Sequence, residues 1–180
     1  MRMVVISGSL NPQSRSRVLA RRAHELLAGH DVVAQWIDLQ QVDIPMCDGT
    51  GGSKGGDVAE LRQTIDAADG VFLAAPVYNF DVNAAVKNLV EQTGRAWTDK
   101  VVGLLCAAGG RASYMSVMSL ANSLMLDFRC LIVPRFVYAT ASDFSDDRTE
   151  QMALASDDVS ERVAELVAEM VRLAGTSSQH

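Results

Sequence analysis

The sequence has no long apolar run, few cysteines and no excess of basic residues. Its first strand-like segment, residues 3–6, is far too short for the hydrophobic part of a signal peptide or for a membrane span. The three cysteines form no Cys-x-x-Cys pair. Cys106 and Cys130 lie in apolar segments, so we expect buried free thiols in a reducing compartment. A net charge of −6 argues against a nucleic-acid partner, which requires a basic surface. These absences favour a cytoplasmic protein that does not span a membrane.

Motifs of several enzyme classes are also missing. The sequence shows neither a Gly-x-Ser-x-Gly elbow nor a metal-binding cluster, which argues against hydrolases and metalloenzymes. The first loop is not a Walker loop and not Gly-x-Gly-x-x-Gly, which weakens nucleoside triphosphates and dinucleotides as ligands there. His24 and His30 lie on or just after the first predicted helix, where we expect solvent-facing or structural roles.

What is present is an alternation of strand-length apolar runs with stretches of helical period. Predicted strands cover residues 3–7, 31–38, 70–75, 101–107 and 130–137. Predicted helices include 57–68, one starting near 82, 113–127 and 156–174. Strands that are apolar on both faces and separated by helices indicate an α/β fold with a doubly wound parallel sheet. We expect one domain over residues 1–175, a disordered tail at 176–180, and a ligand at the carboxyl ends of the strands.

The first of three loops at that edge, residues 8–16, is rich in hydroxyl and amide side chains and ends at a helix N-terminus. Backbone N–H groups and the helix dipole form an anion site there. Arg15 or Arg17 can offset negative charge, and the candidate side-chain donors are Ser9, Asn11, Ser14 and Ser16. The alternative is that Ser14 or Ser16 only caps the helix, because capping and phosphate binding use the same geometry.

The second loop, residues 76–83, contains Tyr78, Asn79 and Phe80 at the end of the third strand. Two aromatic rings beside backbone donors suit a planar heterocycle. Alternatively, the segment is a turn in which Tyr78 and Phe80 close the core.

The third loop, residues 107–113, carries Gly109 and Gly110 after the fourth strand. Paired glycines let a ligand approach the backbone closely, although they are also ordinary turn residues. The glycine-rich segment 49–56 lacks a preceding strand, and we expect it to be a mobile surface loop able to act as a lid.

With these loops, the chain resembles the NADPH-dependent FMN reductase family. The likeness covers about Met1 to Glu169, and it is carried by Gly8-Ser9-Leu10 with Ser14 and Ser16, Pro76-Val77-Tyr78-Asn79 with Lys87-Asn88, and Gly109-Gly110. It implies a flavodoxin-like three-layer sandwich, with helices on both faces of a five-stranded parallel sheet of order 2-1-3-4-5.

The resemblance also implies where FMN binds. The phosphate is expected at Ser9, Asn11, Ser14 and Ser16, with Arg15 alongside. The isoalloxazine is expected along Pro76, Val77, Tyr78, Asn79 and Phe80, with Gly109 and Gly110 beside the ring. Three departures from the family pattern are Ser16 in place of a common Asn, Val77 in place of an acidic residue, and residues 80–82 in place of a smaller Gly/Ser-rich stretch.

The activity implied by the resemblance is that of an FMN-dependent NAD(P)H oxidoreductase. NADPH or NADH is the expected donor, and the acceptor is a small molecule such as free flavin, a quinone, an azo compound or a metal ion. No catalytic side chain is expected, because the flavin carries the chemistry. The alternatives are an electron-transfer flavodoxin, which the arginines near the first loop disfavour, and a non-enzymatic module without flavin.

The predicted helix 113–127 is apolar around more of its circumference than a one-sided helix needs. It is therefore either deep in the core or part of a subunit contact. Because family members commonly form dimers or dimers of dimers, we expect a homodimer or homotetramer.

Overall fold

The computed structural model describes residues 1–50 and 55–177, which form nine strands and five α-helices. The strands are β1 Arg2–Ser7, β2 Val33–Asp38, β3 Gly70–Tyr78, β4 Asp81–Val82, β5 Val101–Ala107, β6 Leu131–Ile132, β7 Val137–Ala139, β8 Phe144–Ser145 and β9 Ala153–Leu154. The helices are α1 Arg15–Leu27, α2 Val58–Asp66, α3 Ala84–Thr93, α4 Met118–Phe128 and α5 Asp157–Ser177.

The main sheet is parallel and has the order β2-β1-β3-β5, with β6 and β7 both pairing along the outer edge of β5. Counting β6 and β7 as one interrupted strand, this is the predicted order 2-1-3-4-5. Two antiparallel pairs are added to it: β4 folds back on β3, and β8 pairs with β9.

Apolar side chains cover both faces of the sheet. Along β1, Met3 and Val5 belong to one core cluster, and Val4 and Ile6 belong to the other. Helices α1 and α5 pack on the first face, while α2, α3 and α4 pack on the second. The three-layer flavodoxin-like arrangement predicted from the sequence is therefore confirmed.

Strand β3 continues beyond the predicted end at Ala75 and includes Pro76 through Tyr78. The Pro76 carbonyl accepts a hydrogen bond from the Asn83 N–H at 3.1 Å. The nitrogen of Pro76 therefore faces away from β5, on the side where β1 has already ended. A proline there removes no hydrogen bond to β1 or β5, so it does not end the strand.

The predicted fifth strand, 130–137, is in fact two short strands, β6 and β7. Pro134 between them has no N–H to donate, and Arg135 has a positive φ of 59°. Both features interrupt pairing with β5.

Two helices differ from their predicted bounds. The start of the predicted helix 113–127 is a 3-10 helix, Arg111–Val117, and α4 begins only at Met118. Helix α5 continues through Ser177, two residues into the segment expected to be a disordered tail. The rest of that tail lies outside the described residues, as do residues 51–54 of the expected glycine-rich loop.

The cysteines are unpaired, as predicted. Cys106 and Cys130 are buried, and loss of hydration raises the pKa of the Cys106 thiol to about 12 and that of Cys130 to about 11. Over residues 1–50 and 55–177, no helix combines the length and apolar character needed to cross a membrane.

Candidate functional site

A cavity of about 480 Å³ lies at the carboxyl ends of β1, β3 and β5. Its size is within the usual range for small-molecule sites, and its position is where doubly wound sheets bind ligands. The residues lining it are Ser9, Asn11, Gln13, Ser14, Arg15, Ser16, Pro76, Val77, Tyr78, Asn79, Ala107, Ala108, Gly109 and Arg148.

The three predicted loops thus meet in one place. Ten of the twelve residues proposed from the sequence line the cavity, and Phe80 and Gly110 do not. Sequence reasoning did not name Gln13, Ala107, Ala108 or Arg148. The first three lie within the predicted loops 8–16 and 107–113, whereas Arg148 lies outside all three predicted loops.

Ser14 caps the first helix, and Ser14 and Ser16 both line the cavity. Ser14 is the N-cap of α1, and its Oγ accepts from the Arg17 N–H at 3.4 Å. The hydroxyls of Ser14 and Ser16 lie 2.9 Å apart. The two interpretations of the sequence are therefore compatible, because a hydroxyl that caps the helix also faces the cavity.

Arg17 does not face the cavity, contrary to the suggestion that it could offset the charge of an anion. Its guanidinium is buried and pairs with Asp38 through hydrogen bonds of 2.9 and 3.0 Å. It also donates to three carbonyls of the first loop, those of Ser9 at 3.2 Å and of Asn11 and Pro12 at 2.8 Å each. By holding these carbonyls on the side of β2, Arg17 fixes the shape of the loop.

Arg15 lines the cavity, but its charge is already paired. Its Nε donates to Asp147 Oδ1 at 2.7 Å, its Nη2 donates to the second carboxylate oxygen, and its Nη1 donates to the Ala108 carbonyl at 3.4 Å. This hydrogen bonding lowers the pKa of Asp147 and raises that of Arg15. The bidentate pair joins helix α1 to the β8–β9 hairpin.

A tight hairpin holds the aromatic wall of the cavity. Asn79 and Phe80 connect β3 to β4 with positive φ values of 52° and 66°, as a two-residue turn with both central residues left-handed requires. Tyr78 is 51% exposed and Phe80 is 58% exposed. The alternative that these rings close the core is therefore wrong. Both rings are accessible, and Tyr78 borders the cavity.

The glycine pair leaves open space above the backbone. A Cβ atom built on Gly109 or Gly110 meets no atom within 4 Å, and neither glycine has a positive φ. The turn therefore does not require glycine, and the space beside Gly109 is open to a ligand. Gly110 is exposed outside the cavity lining, and its carbonyl accepts from the Tyr138 hydroxyl at 2.6 Å.

Gly8 is required for a different reason, because the first loop presses against β3 and α3. A Cβ on Gly8 would lie 2.3 Å from the Val86 Cγ2 and 2.7 Å from the Ala74 oxygen. The Gly8 N–H donates to that same oxygen at 2.8 Å, and its carbonyl accepts from Asn83 Nδ2 at 2.7 Å.

These features suit FMN. One end of the cavity has hydroxyls at a helix N-terminus, as a phosphate requires, and the other has Tyr78 and the bare Gly109 backbone, as a flat ring requires. Fold and cavity together define a flavodoxin-like flavoprotein.

Comparison with known proteins agrees with that class. The sequence model of the NADPH-dependent FMN reductase family matches residues 1–144. The chain is 31% identical to the NADH-dependent FMN reductase SfnF of Pseudomonas fluorescens, over 81% of this chain and 80% of that one. It is 27% identical to an NAD(P)H-dependent FAD/FMN reductase of Geobacillus thermodenitrificans, over 79% of this chain and 76% of the relative.

Among solved structures, an apo NADH:FMN oxidoreductase superposes with a TM-score of 0.76, covering 96% of this chain and 89% of its own, at 21% identity. At that identity the likeness shows the fold alone. The chain belongs to the NADPH-dependent FMN reductase family, and it is a flavin-dependent NAD(P)H oxidoreductase.

Proposed function

We propose that the cavity described above is the FMN site and that a small electron acceptor follows the nicotinamide nucleotide into the same space. The observation that carries the proposal is the convergence of the three loops on one cavity. The phosphate lies at Ser9, Asn11, Ser14 and Ser16, next to the N-terminus of α1. The isoalloxazine lies along residues 76–79 and against Gly109.

Bound FMN supplies the redox chemistry, accepting hydride from NADPH or NADH and giving up its reducing equivalents to an acceptor. The protein binds the flavin and orients it. The Arg17 hydrogen bonds hold the first loop in shape before the cofactor arrives. The half-exposed Tyr78 ring borders the cavity, where a planar donor or acceptor can stack. The exposed Phe80 ring lies on the same hairpin, outside the cavity lining. Free flavin, quinones, azo compounds and oxidised metal ions are the acceptor classes that we propose.

The first experiment measures visible absorbance after FMN is added, the excess is removed, and NADPH or NADH is added without oxygen. A retained band that either nucleotide bleaches is the expected result. A retained band that neither bleaches would indicate an electron carrier instead. Failure to retain flavin, together with no saturable quenching in a titration, would contradict the proposed site.

The double variant Ser14→Ala, Ser16→Ala tests the proposed phosphate position. We expect weaker FMN binding by at least tenfold, because two hydroxyls at the helix N-terminus are lost. The matched control is Ser156→Ala. The Ser156 hydroxyl accepts from the Val159 N–H at 3.3 Å at the start of α5, outside the cavity, so its loss affects folding alone. Equal FMN affinity in the double variant and the wild type would place the phosphate elsewhere.

We also propose that residues 1–175 act as one FMN-binding domain and that the protein works in the cytoplasm as a homodimer or homotetramer. The support for assembly is an exposed apolar surface on residues 114–126, formed by Tyr114, Met115, Met118, Met125 and Leu126. Leu126 is 77% exposed, which rules out the alternative that this whole helix is deep core. A monomer at micromolar concentration in analytical ultracentrifugation would refute the assembly.

A further inference from the structure

The cavity wall contains two charged side chains among the described residues, Arg15 and Arg148. Arg15 is held by the Asp147 carboxylate through two hydrogen bonds, so this pair carries no net charge toward the cavity. Arg148 has no carboxylate within ion-pair distance among residues 1–50 and 55–177. The charge of Arg148 also acts on the Asp147 carboxylate and helps Arg15 to lower the pKa of that group. Arg15, Asp147 and Arg148 together therefore leave one net positive charge beside the cavity.

The fold holds Arg148 in place. It lies in the loop between β8 and β9, where Asp146 and Arg148 both have left-handed backbones, with φ values of 46° and 60°. The Thr149 N–H and hydroxyl both donate to the Asp146 carbonyl, at 3.1 and 2.7 Å. Asp147, between the two left-handed residues, is tied to helix α1 through Arg15. These contacts fix the backbone that carries Arg148, whose exposed side chain lines the cavity.

Arg148 lines the same cavity as Gln13, Ser14 and Ser16, and the Arg15–Asp147 pair ties its loop to the first residue of α1, next to the N-cap Ser14. A phosphate monoester there meets the hydroxyls and the helix N-terminus, and a positive charge beside it adds a charge-assisted hydrogen bond. Arg15 cannot supply this charge without giving up Asp147.

We propose that Arg148 binds the phosphate of FMN and makes the site selective for FMN over riboflavin, and that the Arg15–Asp147 pair positions it. This inference rests on the proposed function, because it assigns a residue of the same site. The family match ends at residue 144, so the determinant lies outside the segment that defines the family. The chemistry recognised is a phosphate monoester.

The test compares two flavins that differ only in the phosphate. Dissociation constants for FMN and riboflavin are measured by fluorescence for the wild type and for Arg148→Gln. We expect the constant for FMN to rise roughly 10- to 100-fold, the loss expected for one charge-assisted hydrogen bond, and that for riboflavin to stay within about twofold. Added salt is expected to weaken the FMN preference of the wild type more than that of the variant.

Arg135→Gln is the matched control. Arg135 also has a left-handed backbone, with φ of 59°, is largely exposed, and gives the same change in net charge, but it lies outside the cavity. We expect it to leave both constants unchanged. The double variant Arg15→Gln, Asp147→Asn removes the bridge without changing the net charge, and we expect it to reduce the FMN preference through misplacement of the loop.

An unchanged FMN-to-riboflavin ratio in Arg148→Gln would overturn the inference while leaving the proposed function intact. So would a raised KM for NADPH with unchanged flavin affinities, which would place Arg148 at the donor nucleotide. An equal rise in the FMN dissociation constant of Arg135→Gln would also overturn it, because the effect would then come from the overall charge of the protein. Failure of the wild type to bind either flavin would overturn the proposed function together with the inference.

Discussion

Replacing Arg17 with methionine is expected to destabilise the fold more than any surface change on the same helix. The Arg17 and Asp38 side chains are each only 6% exposed, so Arg17→Met leaves a buried carboxylate without its partner. It also removes donors from the carbonyls of Ser9, Asn11 and Pro12. Breaking a buried pair from one side costs about 3–5 kcal/mol. We expect the free energy of unfolding, measured by urea denaturation with circular dichroism, to fall by that amount.

Two further variants make the test specific. Arg17→Met combined with Asp38→Leu is expected to recover part of the loss, because no charge is then buried alone. Arg22→Met, on the same helix, removes a surface guanidinium 4.0 Å from Glu25, and we expect a change within about 0.5 kcal/mol. If the free energy of unfolding of Arg17→Met falls by less than about 1 kcal/mol, the reasoning is refuted. The ion pair and the hydrogen bonds to the loop would then contribute almost nothing to stability.

Three other predictions follow from local geometry. Phe80→Gly is expected to raise the free energy of unfolding by about 1 kcal/mol in urea, because it relieves a left-handed backbone and the exposed ring loses little burial. Gly8→Ala is expected to cost about 1–3 kcal/mol, read as a lower melting temperature, since its Cβ would lie 2.3 Å from a methyl carbon. Iodoacetamide at pH 8 is expected to alkylate Cys47 in the native protein and to spare Cys106 and Cys130 until denaturant is added. The thiols of Cys106 and Cys130 have pKa values of about 12 and 11, so almost no thiolate is present at either. Mass spectrometry gives the order in which the cysteines are alkylated.

Each of these predictions has an opposite outcome. A destabilised Phe80→Gly would mean that the ring packs against the fold. An unchanged melting temperature for Gly8→Ala would mean that the first loop can move away from α3. Modification of Cys106 before Cys47 would mean that the core opens readily in the native state.

The parallel sheet was predictable because apolar runs and helical periods alternate plainly along the chain, and its strand order was implied by the family resemblance. The end of β3 was not predictable from the sequence. Whether Pro76 ends the strand depends on the side to which its nitrogen points and on where β1 ends on that side. The break between β6 and β7 depends on Pro134 and on a left-handed Arg135, and only the proline is visible in the sequence.

Within the candidate site, local composition identified the loops but not the state of their charges. Arg15 and Arg17 look equivalent in sequence, two residues apart beside a predicted anion site. In the structure one is paired with Asp147, 132 residues away, and the other with Asp38 in the neighbouring strand. Arg148 went unnoticed for the same reason, since its place in the cavity depends on a hairpin and an ion pair that no local pattern encodes.

The Arg15–Asp147 bridge also has a consequence for the order in which the molecule is completed. A chain released gradually from the ribosome can form β1, α1 and the serine-lined loop early, but the bridge cannot close until the segment around residue 147 has emerged and docked. Contacts between such distant parts of a chain form late, because the intervening loop must first be ordered. The visible absorbance of tightly bound FMN would then report the fraction of fully folded chains in a preparation, because truncated or partly folded chains would not retain the flavin.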